Sequence, residues 1–242
     1  EAHSGRPRAT PEAIAALRAS AAGGRVEAMT ELGQRLLVGR DLDQAPEEGI
    51  ALVRKASAQG GAEAACQLAT LLGAGAWMPR DWEAALDHLK LAAERGSPRA
   101  QGQLILLSAD RRLAHELKAG LKVADGWARL RASIDIGMWM TPPERRAICE
   151  QPRVRAVDAF VPAEVCEWLV DRSRGKFVPA MLFDGVSAHF HADRTNSDFA
   201  FDIVEADVLL ALLRERISNL TKIPTPAMEP PQIFHYDVGE EI

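Results

Sequence analysis

Gly24, Gly60 and Gly96 recur at intervals of 36 residues, and the same step carries Ala28 to Ala64 to Ala100 and Leu32 to Leu68 to Leu104. Gly39 maps onto Gly75 and Ala56 onto Ala92 in the same register. A fixed period of this length marks a chain of stacked units, each too small to bury its apolar face alone. The second unit shows what one unit is. Residues 62–72 place Ala65, Leu68, Ala69 and Leu72 on one helical face,. Gly73 and Gly75 then stop the helix, as residues tolerant of positive φ do. Asp81 caps a second helix with Trp82, Ala85, Leu86, Leu89, Ala92 and Ala93 along its apolar stripe, and Gly96 closes it,. Small residues at Ala28, Ala64 and Ala100 let paired helices approach closely.

Composition narrows the rest. A chain of 242 residues with 47% hydrophobic and 26% charged residues is too apolar for wholesale disorder, and its length suits two domains,. A formal charge of −5 speaks against a nucleic-acid partner, which calls for a basic excess,. The longest apolar run, Val208–Leu213, is far short of the roughly 18 residues of a membrane span,. Cys66, Cys149 and Cys166 form no Cys-x-x-Cys pair and predict buried or half-buried free thiols in a reducing compartment,. With no apolar segment opening the chain, a cytoplasmic location is expected. His88 and His115 stand alone on their helices and predict no ligand site,.

The recurrent Ala…Leu-Gly/Ala…Gly…Ala-Ala/Ser…Gly skeleton over residues 23–137 resembles Sel1-like repeats, relatives of the tetratricopeptide family. Two units, Gly24–Gly60 and Gly60–Gly96, fit well. The third starts in register at Ser97-Pro98-Arg99-Ala100 but has Arg111 where the loop glycine belongs. Leu113, Leu117, Leu121, Trp127 and Leu130 then read as a helical, degenerate capping unit ending near Gly137. Residues 1–22 hold an N-terminal capping helix, with Thr10 as cap and Pro11 in its first turn,. The resemblance implies a protein partner on the repeat face.

Prolines at 142, 143 and 152 set a linker at residues 138–152,. Beyond it, over residues 153–242, strands are predicted at 153–160, 177–183 (turned at Asp184-Gly185), 199–201 and 232–236. Helices are predicted from Val161-Pro162, with Val165, Trp168 and Leu169 inward, and over 207–220. In the latter Leu209, Leu210, Leu213 and Ile217 face inward and Arg214 and Glu215 outward,.

Five landmarks in this half occur in an order that resembles the catalytic domain of prolyl 4-hydroxylases, Fe(II)/2-oxoglutarate dioxygenases. They are Asp158 and Phe160 after a strand, Glu164-Val165-Cys166 on a helix, Arg194-Thr195-Asn196-Ser197, Arg216-Ile217, and Glu229…Gln232…Tyr236…Gly239. The resemblance implies an all-α solenoid followed by the N-terminal part of an α+β double-stranded β-helix (jelly-roll) oxygenase domain. It implies a parent enzyme that hydroxylates a prolyl residue of a peptide or protein, using Fe(II), 2-oxoglutarate and ascorbate. By the same resemblance Tyr236 contacts the cosubstrate, and Arg194, Asn196 and Glu229 line the substrate groove. The family's metal-binding His-x-Asp follows the Tyr-x-x-Gly segment, so its ligands are expected beyond Ile242. No catalytic or metal-ligating residue is assigned within the chain, and the chain alone is expected to be inactive. His191-Ala192-Asp193 and His235-Tyr236-Asp237 each put two ligand types on one strand face, and His189 with His191 would make a zinc pair on one strand, but without a converging third ligand,. The alternative is a Sel1-repeat scaffold carrying a degenerate oxygenase-like part.

Overall fold

A computed structural model describes residues 9–183, 188–189 and 195–240. In chain order the helices α1 (Pro11–Ala22), α2 (Val26–Val38), α3 (Pro46–Ala58), α4 (Ala62–Ala74), α5 (Trp82–Glu94), α6 (Pro98–Leu107), α7 (Arg111–Lys118), α8 (Gly126–Ala132) and α9 (Ile136–Met140) come first. Strands β1 (Arg146–Cys149) and β2 (Val154–Ala156) follow, then α10 (Ala163–Ser173). Next are β3 (Val178–Pro179), β4 (Leu182–Phe183), β5 (Ala188–His189), β6 (Ser197–Ala200), α11 (Val208–Thr221) and β7 (Gln232–His235). The described residues form two compact units: residues 9–158 with 203–228, and residues 159–202 with 229–240.

The larger unit is the helical array. Thr10 accepts a hydrogen bond from the Ala13 N–H at 3.3 Å, and Asp81 one from Ala84 at 2.9 Å, so side chains meet helix-start donors that have no intrahelical partner,. Between units the backbone turns through Gly24, Gly60 and Gly96, all at φ between +85° and +97°; a Cβ there would touch nothing, so backbone conformation alone demands glycine,. Ala28, Ala64, Ala100, Leu104, Leu86 and Leu89 are almost wholly buried, as the periodicity predicts. Each such leucine contributes about 1.5–3 kcal/mol by leaving water.

One close crossing has no counterpart in the predicted small-residue positions. Gly33 of α2 and Gly49 of α3 meet so closely that a Cβ on either would lie 2.9 or 2.8 Å from the other's carbonyl oxygen. One repeat later the same two positions are Ala69 and Ala85, both fully buried.

Past α6 the array changes character. The predicted single stretch is three short helices, α7 to α9, and Leu121 lies exposed in the loop between α7 and α8. Gly137 falls inside α9. Trp139 Nε1 donates to the Leu107 carbonyl at 2.9 Å, and Ser108 and Ser133 hydroxyls bond at 2.7 Å, tying α9 and α8 back to the end of α6. An unpredicted strand, β1, lies in the linker and pairs antiparallel with β2; Arg146 grips Asp158 through two bonds of 2.9 and 3.1 Å.

Helix α11 packs on α4, α6 and α9. Leu209 and Leu212 are fully buried, whereas Ile217, predicted inward, is 38% exposed. Arg214 and Glu215, predicted outward, are half-buried. Glu215 pairs with Arg80 of the α4–α5 loop, and Arg214 donates to the Thr225 and Met228 carbonyls at 3.2 Å each. The polar side of the helix therefore meets protein, an environment that helical periodicity does not register.

The smaller unit holds α10 and the remaining strands. Val165 is buried and Trp168 and Leu169 half-buried, as predicted. The expected strand over 177–183 is divided between β3 and β4, which belong to different sheets. An antiparallel sheet has the order β3-β6-β7, and β4 pairs with β5 in a separate hairpin. Phe199 and Phe201 stack edge-to-face at 4.8 Å,. Asp184 and Gly185, the predicted turn, lie outside the described residues. The described strands amount to a three-stranded sheet and two hairpins, less than the two packed sheets that a jelly roll needs,.

Candidate functional site

The first helices of successive units, α4 and α6, carry a row of buried polar side chains at positions related by the repeat. Gln67 and Gln103 are 36 apart and 1% and 0% exposed. Gln67 Nε2 donates to the Ile203 carbonyl at 2.9 Å, while its Oε1 accepts from Gln34 on α2 at 3.3 Å. Arg99, one turn before Gln103 on α6, donates to the carbonyls of Val204 and Glu205 at 3.1 Å each and to that of Ala206. Gln103 Oε1 accepts from the Val208 N–H at 2.9 Å and the Leu209 N–H at 3.4 Å. Asp207 accepts from the Leu210 N–H at 2.8 Å. Three donors that open α11 are thus met, two of them by a neighbouring helix. These hydrogen bonds from the row to residues 203–209 all meet main-chain atoms, so the arrangement grips polypeptide backbone. Apolar periodicity does not register polar residues such as Gln67 and Gln103; their recurrence at the 36-residue step was the available signal.

The residues named by the oxygenase resemblance are only partly brought together. Asn196 is completely buried, with its carbonyl accepting from the Ala180 N–H at 2.9 Å and its Nδ2 donating to the Ser197 carbonyl at 3.4 Å. Ser197 pairs with His235 across β6 and β7, so Asn196 and Tyr236 are the residues just beyond the same end of that ladder. Tyr236 is 41% exposed. Glu229 is exposed and lies at the other end, where the Phe201 N–H donates to the Pro231 carbonyl at 2.9 Å. The four residues of β7 between them span about 13 Å at the usual rise per strand residue,. Arg194 lies outside the described residues, as do His191 and Asp193; the side chain of His189 is likewise outside the description.

His235 and Asp237 are joined by Glu240, a residue the sequence reading left out, and one ligand atom from each comes within 4.8 Å of the others. This is the grouping among the described residues that could hold a metal ion. It is exposed to half-buried, and Glu240 already accepts from the Asp237 N–H at 2.7 Å. The iron site implied by the resemblance takes two histidines and one carboxylate; one histidine and two carboxylates do not supply that set.

The remaining titratable groups follow their burial. Cys66, inside α4, has its thiol pushed up to about 11, chiefly by burial. A thiol so far from ionisation is a poor nucleophile. Cys149 and Cys166 are exposed, against the expectation of buried or half-buried thiols. His88 is held below its ordinary pKa, first by burial and then by the nearby Arg95 and Arg54 against the opposing pull of Asp87,.

The paired helices, glycine-turned and stacked at a constant step, define a tetratricopeptide-like helical repeat array. Residues 26–61 and 62–97 match the Sel1 repeat family model, and these two segments are Sel1 repeats. Among solved structures, the chain is similar to a Sel1 repeat protein from Oxalobacter formigenes at 23% identity and a TM-score of 0.39, over 53% of this chain and 52% of that one. It is also similar to a protective antigen of uropathogenic Escherichia coli strains displaying an SLR fold, at 28% identity and a TM-score of 0.38, over 49% of this chain and 25% of that one. The chain thus spans about half the length of the first and a quarter of the second. No curated protein matches it. Among the described residues no helix is long and apolar enough to cross a membrane.

Proposed function

We propose that the chain is a protein-interaction scaffold whose Sel1 repeats bind polypeptide along their first helices, α2, α4 and α6. The observation that carries this reading is the row of Gln67, Arg99 and Gln103, each of whose side chains hydrogen-bonds to main-chain atoms of residues 203–209. A random peptide display library, panned against the chain and against Val204→Ser/Asp207→Ala, tests it. Enriched peptides are expected to lose at least about tenfold in affinity on Gln34→Ala/Gln67→Ala and to be indifferent to Arg54→Glu on the exposed side of α3,. Failure to enrich any peptide against either protein overturns the reading.

A second reading concerns a longer parent protein: a 2-oxoglutarate-dependent prolyl hydroxylase acting on a peptide or protein, with the repeats recruiting its substrate. Its support is the shared position of Asn196 and Tyr236 at one end of the β6–β7 ladder, together with the order of sequence landmarks. In that reading Tyr236 offers a phenol to the cosubstrate, and Asn196, Arg194 and Glu229 contribute to the substrate groove. The test is succinate release coupled to oxygen incorporation in a proline-containing peptide, using a chain that continues past Ile242. Absence of both with Fe(II), 2-oxoglutarate and ascorbate supplied removes it.

A further inference from the structure

Residues 203–209 run through the array as a ligand would. A turn at Ile203–Glu205 and the two residues after it lie against α4 and α6, their carbonyls taken one after another by Gln67 (from Ile203) and Arg99 (from Val204, Glu205 and Ala206). The chain then turns into α11 at Asp207, and the first two N–H groups of that helix are received by Gln103. Val204 is 8% exposed and joins the core cluster formed by α2 to α4, while Leu209 and Leu212 are buried on the array. Over a hundred residues of sequence separate the gripping side chains on α6 from what they grip, so this contact is not local to a repeat.

We infer that this face is a peptide site filled in cis, and that the foreign ligands it accepts share the form of its occupant. That form is a turn with apolar anchors, here Ile203 and Val204, then an aspartate that caps an amphipathic apolar helix. The inference rests on the scaffold reading and adds to it the ligand class and the occupant. Arg99 and the two glutamines hydrogen-bond to the backbone of the segment, so the apolar anchors and the helix start select among segments. Tethering gives the resident segment an effective concentration of about millimolar, which a free peptide at micromolar concentration does not overcome. An external ligand therefore enters when the resident segment is weakened.

The test uses the full chain and a labelled synthetic peptide of residues 203–221. Against the unmodified chain no binding is expected at micromolar peptide. Val204→Ser/Asp207→Ala weakens the resident segment and leaves the gripping residues intact; it is expected to bind the peptide at least about tenfold more tightly, since loss of a helix cap and an apolar anchor together amounts to a factor of that size. Adding Arg99→Ala to that variant is expected to abolish the gain. If the double variant loses its helical circular dichroism, Asp207→Ala alone is used, with an expected gain of about fivefold. Equal peptide binding by the folded variant and the unmodified chain, or a gain that survives Arg99→Ala, overturns the inference. In either case peptides from the display library that bind α2, α4 and α6 leave the scaffold reading standing.

Discussion

The repeat array and the strand-bearing unit reach order by different routes. In the repeats several structural needs return 36 residues later and are met by the same side chain: glycine at the turns Gly24, Gly60 and Gly96, alanine at 28, 64 and 100, leucine at 32, 68 and 104. The contacts between successive helices α1 to α6 close within one or two units, so the entropy lost in bringing their residues together is small,. In the strand unit the sheet joins Ser197 to His235 across a stretch that includes α11, a helix packed elsewhere. Its buried apolar residues are few, among them Val165, Ala180, Phe199 and Phe201, while Val170, Phe234 and Val238 are exposed. Repetition lets a chain spread its core over many equivalent contacts; a unit assembled from distant segments depends on a handful.

That contrast can be tested by truncation. Leu71→Ala, at a fully buried position on α4, is expected to lower unfolding free energy by about 2–5 kcal/mol,. Phe234→Ala, at an exposed strand position, should cost less than about 1 kcal/mol,. Denaturant titration followed by circular dichroism reads both, and similar losses would erase the distinction. A smaller effect tests the crossing of α2 and α3. Gly33→Val places methyl groups against the Gly49 carbonyl and is expected to destabilise by about 1–3 kcal/mol,. Ala69→Val, at the equivalent place in the next unit, is the comparison that shows whether the two crossings are equally tight.

The smallest effect comes from His88. Its pKa lies below the ordinary 6.5, so the unfolded chain binds the proton more readily than the folded one,. The neutral imidazole therefore contributes stability that is complete above pH 6.5 and falls away as the pH drops toward the folded-state value. In His88→Gln that part of the decline is expected to vanish, read as a flatter plot of melting temperature against pH between 7 and 5. An unchanged slope would mean that other groups carry it.

What the sequence made legible follows the same division. The helices α1 to α6, the caps at Thr10 and Asp81 and the turn glycines were readable because their determinants sit within a few residues of what they control. The Gly33–Gly49 approach was not, since one repeat uses glycine and the next alanine, and the period conceals what the pair has in common. The grip of Gln67, Arg99 and Gln103 was hidden for another reason. A polar residue on a helix reads as facing water until the segment it holds is known, and that segment lies more than a hundred residues away. The strands were found near their true places at 199–201 and 232–236, but which pairs with which is a long-range matter that alternation does not encode. Tyr236 and Asn196 turned out to be neighbours of the same ladder end, whereas Glu229, close to Tyr236 in sequence, is carried away by the length of β7 between them.

Because α11 belongs to the helical array and the segments on both sides of it belong to the smaller unit, the chain passes between the two units three times among the described residues, near residues 158, 202 and 228. Neither unit can be cut out as a single uninterrupted fragment. A gene split after Asp158 would deprive α4 and α6 of the helix that covers them and leave Leu209 and Leu212 bare on the other product. Excision of the sheet would instead require joining Asp158 to Ile203 and ending at Met228, a rewiring that keeps α11 with the helices on which it is packed.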